Sequence, residues 1–213
     1  MRKFIILSLS VLGISFSSFA QTDAKAKAVL DKMSAKINGM SSMKANFSLT
    51  AKDGNGKVIM NETGVLQMKG EKYNVALGKQ SMICDGKTMW TYMKANKEVQ
   101  VANYDPDEVQ ISPKKIFPTS YAKDYNYSYA GERTVNGKKV DIVYLVPKSK
   151  KNFKSVTILV DKTGMIMSGS IEEANGGYFT LNIKNVQANG ASADANYTFD
   201  AAKHPGVEVI DIR

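Results

Sequence analysis

The 213-residue chain contains one cysteine, one histidine, one tryptophan and five prolines. A lone cysteine, Cys84, permits no intramolecular disulfide, so the fold must rest on its core. One histidine, His204, and no second thiol beside Cys84 leave no usual transition-metal ligand set. A general base needs an oriented partner, whereas His204 beside Pro205 reads as a loop residue. Cys84, next to the Asp85-Gly86 turn, reads as a small strand residue rather than a nucleophile. No GxxxxGK phosphate cradle occurs, and the Asp-Gly pairs lack the acidic ladder of a calcium loop. Catalysis and bound cofactors are therefore not expected. Beyond residue 20 no apolar run approaches the ~20 residues that cross a bilayer.

The single long apolar run, Phe4 to Phe16, follows Arg2-Lys3 and precedes Ser18-Phe19-Ala20. This is the three-part pattern of a secretory signal peptide, and it is too short for a membrane anchor. Cleavage after Ala20 makes residues 21–213 a single exported, soluble domain starting at Gln21, which is not a lipid-accepting cysteine. Loss of Arg2 and Lys3 lowers the formal charge from +9 to +7. A basic exported protein suits anionic headgroups or an acidic partner surface, and export argues against nucleic acid.

What the chain has in quantity is β-prone, methionine-rich sequence, organised around Cys84 to Val101. Asp85-Gly86-Lys87 is a tight-turn signal between Ser81–Cys84 and Thr88–Met93, and Lys94–Lys97 leads into a third strand. Large apolar side chains occupy both faces of this meander, so each face must be covered by protein or by ligand. Upstream, Ala26, Leu30, Met33, Ile37 and Met40 form one face of a helix over Asp23–Met40, with Thr22 or Asp23 as cap and Asn38-Gly39 as stop. The period then changes to two. Phe47 and Leu49 share a face, Asp53–Gly56 makes a hairpin loop, and Leu66 and Met68 share a face on the return strand, about Val58–Lys69. Tyr73 and Val75 alternate after the Gly70-Glu71 turn. Short turns between successive strands imply an antiparallel sheet.

Residues 104–118 interrupt the sheet, with a helix start at Asp105–Glu108, a break at Pro113 and apolar Val109, Ile116 and Phe117. Strands resume at Tyr125–Glu132, turn at Asn136-Gly137, and continue over Lys138–Val146. Val156, Ile158 and Val160 alternate before the Asp161–Gly164 turn. Met165–Glu173 and Tyr178–Val186 follow, and both Tyr197–Phe199 and Val207–Ile210 read as extended. Methionine adapts to irregular apolar ligands, and Met68, Met82, Met89, Met93, Met165 and Met167 all fall on expected strands. The alternation of Phe47, Leu66, Tyr73, Met82 and Trp90 predicts that these side chains point into one apolar cavity.

Several segments together resemble the periplasmic outer-membrane lipoprotein carrier family, LolA. They are Phe47 with Asp53–Gly56, Gly64–Lys69, Cys84–Tyr92 with Gln100-Val101, Leu145–Lys148, Asp161–Gly164, and Phe199 with Pro205–Ile210. The likeness spans nearly all of the mature chain. It implies a mainly β fold with helices (α+β): a strongly curved antiparallel sheet, an incomplete β-barrel closed by the N-terminal helix and short lid helices. It also implies a carrier that holds the acyl chains of lipoproteins and moves them from the inner to the outer membrane. The partners would be acylated lipoproteins, an inner-membrane lipoprotein-releasing ABC transporter and an outer-membrane acceptor. No cofactor is implied, and the carrier would act as a monomer in the periplasm. A lipid- or lipoprotein-sensing module of the same fold, or a specialised lipid carrier, is the alternative. By position the apolar cavity would be lined by Phe47, Leu49, Leu66, Met68, Tyr73, Val75, Met82, Trp90, Tyr92 and Ile158. The lid would carry Val109, Ile116 and Phe117. Many members have Arg-Pro where this chain has Gly70-Glu71, so a lid here would be held without that arginine.

Overall fold

The computed structural model describes residues 23–105, 121–190 and 193–213. The expected signal peptide and the expected lid residues Val109, Ile116 and Phe117 lie outside the described residues.

Helix α1 (Ala24–Asn38) starts where the capping signal predicts. The Asp23 carboxylate accepts from the backbone N–H groups of Lys25 and Ala26 at 2.8 and 3.2 Å, satisfying donors that have no partner inside the helix. A third bond, from the Tyr129 N–H at 2.8 Å, ties this cap to the sheet. The buried stripe is Ala26, Leu30, Met33 and Ile37. A second, single-turn helix, α2 (Tyr121–Asp124), leads into the later strands.

Among the described residues twelve strands form one sheet. The first meander is β1 (Met43–Lys52), β2 (Val58–Lys69), β3 (Lys72–Leu77), β4 (Gln80–Cys84), β5 (Thr88–Met93) and β6 (Glu98–Asn103). The second is β7 (Tyr125–Val135), β8 (Lys138–Pro147), β9 (Phe153–Asp161), β10 (Ile166–Glu173) and β11 (Tyr178–Ala188). The short β12 (Glu208–Asp211) ends the chain. In space the order is β12-β6-β5-β4-β3-β2-β1-β11-β10-β9-β8-β7. The curved sheet therefore stays open, with β12 and β7 at its edges, and the two meanders are joined by the antiparallel β1–β11 pair.

The C-terminal segment departs from expectation. β12 runs parallel to β6, with Glu208 opposite Glu98 and Asp211 opposite Val101. Tyr197 closes a 3-10 turn (Asp194–Tyr197) rather than extending a strand. That turn is pinned to β3 and its approach: the Asn74 side-chain amide donates to the Asn196 carbonyl at 2.8 Å, and Asp194 pairs with Lys69 and Lys72. Capture of the chain by these side chains outweighs the weak local strand preference of Tyr197-Thr198-Phe199.

Candidate functional site

The inner face of the sheet is the face that receives α1. Residues directly opposite in register share a face, so the pairings map its lining row by row. One row runs Ala45, Leu66, Val75, Met82 and Thr91; the next runs Met43, Met68, Tyr73, Cys84 and Met89. Across the β1–β11 seam, Phe47 faces Ile183 and Leu49 faces Leu181, while Leu181 leads through Gly169 to Ile158 and Val143. Phe47, Leu66, Tyr73, Val75 and Ile158 belong to one apolar cluster with the α1 stripe, and Leu49, Met68, Leu77 and Met82 pack against it half-buried.

One end of this face is packed shut. Ile37, Met40, Ser42, Met43, Met68 and Gly70 surround a cavity of only about 10 Å³, roughly the minimum for one water. At the same end the Lys32 ammonium donates to the Lys162 carbonyl of the β9–β10 turn.

The other end is different. The row Tyr127, Leu145, Val156, Ile171 runs on through Phe179 and Ala51 to Met60 near the opposite ends of these strands. Tyr121 covers its β7 side, donating its hydroxyl to Asp31 of α1 and meeting the Tyr127 ring edge-on at 5.5 Å between centroids, whereas Ile171 and Met60 are 39% and 40% exposed. Two residues before Ile171 on β10, Gly169 lies directly opposite Leu181 on one side and Ile158 on the other. A Cβ built there has nothing within 4 Å among the described residues. Among the described residues, then, nothing occupies the place of a side chain at Gly169, between Ile158 and Leu181.

Trp90 and Tyr92 are not in this lining, which corrects the expectation of one shared cavity wall. Trp90 is opposite Ile83 and Val101, and Tyr92 is opposite Ser81 and Val99, so both project from the outer face. There the C-terminal segment covers Tyr92. The Tyr92 ring lies 5.1 Å from Phe199 and 4.7 Å from His204, and Phe199 and His204 stack at 4.7 Å. Val99 and Val101 beneath are buried. Sequence reading passed over Gly169, Phe179, Leu181 and Met60. The alternation of Phe179 and Leu181 in β11 was the one local signal that could have found two of them.

Three ionisable groups of the inner face are kept neutral by burial. Burial pushes the Tyr73 phenol well above its usual range, with Cys84 and Tyr104 adding smaller upward effects. Burial likewise raises the Cys84 thiol and the Tyr125 phenol. Tyr73 makes an edge contact with Tyr104 at 5.9 Å and directs its hydroxyl to the Met89 sulfur at 3.7 Å. Such a surface favours hydrocarbon. The sole histidine and sole cysteine sit on opposite faces of the sheet and cannot act as a pair.

Comparison with known proteins places residues 38–200 in the family model "Outer membrane lipoprotein carrier protein LolA". The chain is 29% identical over 219 residues to the outer-membrane lipoprotein carrier protein of Histophilus somni (strain 129Pt), covering 100% of this chain and 99% of that protein. It is 30% identical over 217 residues to the protein of the same name from Glaesserella parasuis serovar 5, covering 98% and 97%. Among solved structures, an uncharacterized conserved protein from Thermus thermophilus superposes with a TM-score of 0.59 at 9% identity, over 88% of this chain and 99% of that one. That likeness concerns the fold alone.

Proposed function

The chain belongs to the LolA family of outer membrane lipoprotein carriers, and from that premise we propose that its inner face holds the acyl chains of lipoproteins in transit through the periplasm. The observation that carries this reading is the continuous apolar inner face, on which half-buried Leu49, Leu77, Met68 and Met82 flank the core and no described residue occupies the side-chain place at Gly169, between Ile158 and Leu181. The energetic need is plain. Hydrocarbon burial is worth about 0.8 kcal/mol per CH₂, so lifting one long acyl chain from a bilayer costs roughly 10 kcal/mol or more. A carrier must return most of that from its own apolar lining, and half-buried Leu49, Leu77, Met68 and Met82 are suited to repack around a chain of variable shape. An inner-membrane transporter would supply the work of extraction, and an outer-membrane acceptor would take the cargo.

The test uses a fluorescent fatty acid and a diacylated lipopeptide as competitor. Wild-type protein should bind the probe, and the lipopeptide should displace it. Gly169→Phe should fill that place and lower probe affinity at least ~10-fold in a protein that still folds, since the backbone there is not left-handed and a Cβ meets nothing within 4 Å among the described residues. Unchanged affinity in a folded Gly169→Phe protein would sink the proposal.

A further inference from the structure

β2 is longer than its neighbour. β3 covers it only from Gly64, opposite Leu77, to Lys69, opposite Lys72. One weak bond continues the ladder, from the Gly78 N–H to the Thr63 carbonyl at 3.5 Å. Among the described residues, Val58–Glu62 pairs with β1 alone. Backbone groups of alternate residues point to the same side of a strand. Asn61 therefore directs its N–H and C=O to the same open side as Thr63. Ile59, the extra residue of a bulge opposite Ala51 and Lys52, stands beside it.

This free edge is also apolar. Val58, Ile59 and Met60 are 50%, 63% and 40% exposed. Soluble proteins usually blunt such edges, because an unpaired, apolar strand recruits another strand. Its position supplies the reason to leave it open. Met60 is both the end of the inner-face rim row and a member of the free edge. A lipoprotein carries its acyl chains on its first residue. If those chains enter the inner face, which is the reading proposed above and on which this inference rests, a polypeptide that leaves at the β2 side of the rim passes Met60 and the open edge of the same strand.

We infer that the free edge of β2 binds the first few residues of the cargo polypeptide as an added strand. Main-chain bonds to Asn61 and contacts with Val58 and Ile59 hold it, so recognition is independent of cargo sequence, as strand addition allows. The carrier then grips cargo at two adjoining places, hydrocarbon inside and peptide backbone at the rim.

The experiment compares two ligands on the full mature protein: a diacylated cysteine amide with no peptide, and the same lipid followed by six uncharged residues. The peptide should tighten binding about 10-fold, the effect of two net hydrogen bonds. N-methylation of alternate peptide amides should remove that gain. Asn61→Pro should remove it too without changing affinity for the peptide-free lipid, because proline is tolerated on an edge whose N–H is unpaired. Amide exchange at Asn61 should slow only with the peptide-bearing ligand. Equal affinity for both ligands, or a gain insensitive to N-methylation, overturns the inference while leaving acyl binding intact. Absence of binding by either ligand overturns the carrier reading itself. Dimerisation of the free protein that is abolished by Asn61→Pro would assign the edge to a second copy and also overturn it.

Discussion

The Phe47 ring occupies the place of the side chain that Gly64 lacks. The two residues are directly opposite on β1 and β2, and Phe47 Cε1 stands 2.8 Å from where a Gly64 Cβ would sit. The Ala76 carbonyl oxygen also crowds that point. Phe47 is 8% exposed and packs in the cluster beneath α1. An aromatic lying over a strand glycine restores the packing that the missing side chain gives up.

Gly64→Ala should therefore destabilise the protein by about 1–3 kcal/mol, the usual range for overpacking. Urea unfolding would measure it as a lower midpoint with an unchanged slope. Phe47→Leu in the same background should recover only part of the loss, because the ring can withdraw but the Ala76 backbone oxygen cannot.

Trp90 is the sole tryptophan and faces away from the inner lining. Brominated acyl chains quench tryptophan on contact. Bound brominated fatty acid should leave most of the Trp90 emission intact, whereas a tryptophan placed at Leu49 in a Trp90→Phe background should be strongly quenched. Strong quenching of Trp90 itself would reverse the assignment of faces.

Asp161 sets an acid limit. Burial works to raise its pKa, but bonds from the Thr163 hydroxyl and the Met165 and Thr163 N–H groups outweigh it, and the net shift is below the ordinary 3.8. A carboxylate with a depressed folded pKa contributes stability above its unfolded value, lost as pH falls through the folded one. Thermal midpoints should accordingly drop as pH is lowered from about 5 toward 3. Asp161→Asn should lower the midpoint at neutral pH and make the acid slope shallower.

Cys84 should be chemically silent in the folded protein. It is fully buried, and burial raises its thiol pKa, so little thiolate forms and reagent cannot reach it. A thiol-specific chromogenic reagent should react at neutral pH only as fast as the protein opens, and promptly in denaturant. Fast native labelling would show that the inner face is more accessible than its packing indicates.

Much of the fold was legible locally. The α1 stripe and its Asp23 cap, the Asp53–Gly56 and Asn136-Gly137 turns, and the period-two strands all follow from short-range rules. The inner lining was legible in part, because alternation reports which residues share a face. It does not report which face is inner. In β4–β6 both faces are apolar, Ile83, Trp90 and Val101 on one and Cys84, Met89 and Ala102 on the other, so alternation alone puts Trp90 and Tyr92 on the wrong one. What separates the faces is the return of the C-terminal segment over Tyr92, a contact between residues far apart in sequence. The open place at Gly169 was equally hidden. A strand glycine marks a gap only when the side chains opposite are known.

The β1–β11 seam also sets the order in which the molecule can be made. Lys52 meets Val58 across a short hairpin but meets Tyr178 only after nearly all the chain is present. The strands against which α1 packs, β7 and β8, arrive late as well. A polypeptide delivered N-terminus first must therefore hold α1 and the β1–β6 meander with their apolar face unpacked until the second meander emerges. Contacts of such long sequence separation slow folding and leave a collapsed half-sheet open to association. For this architecture the vulnerable moment is during delivery of the chain, before there is any cavity to fill.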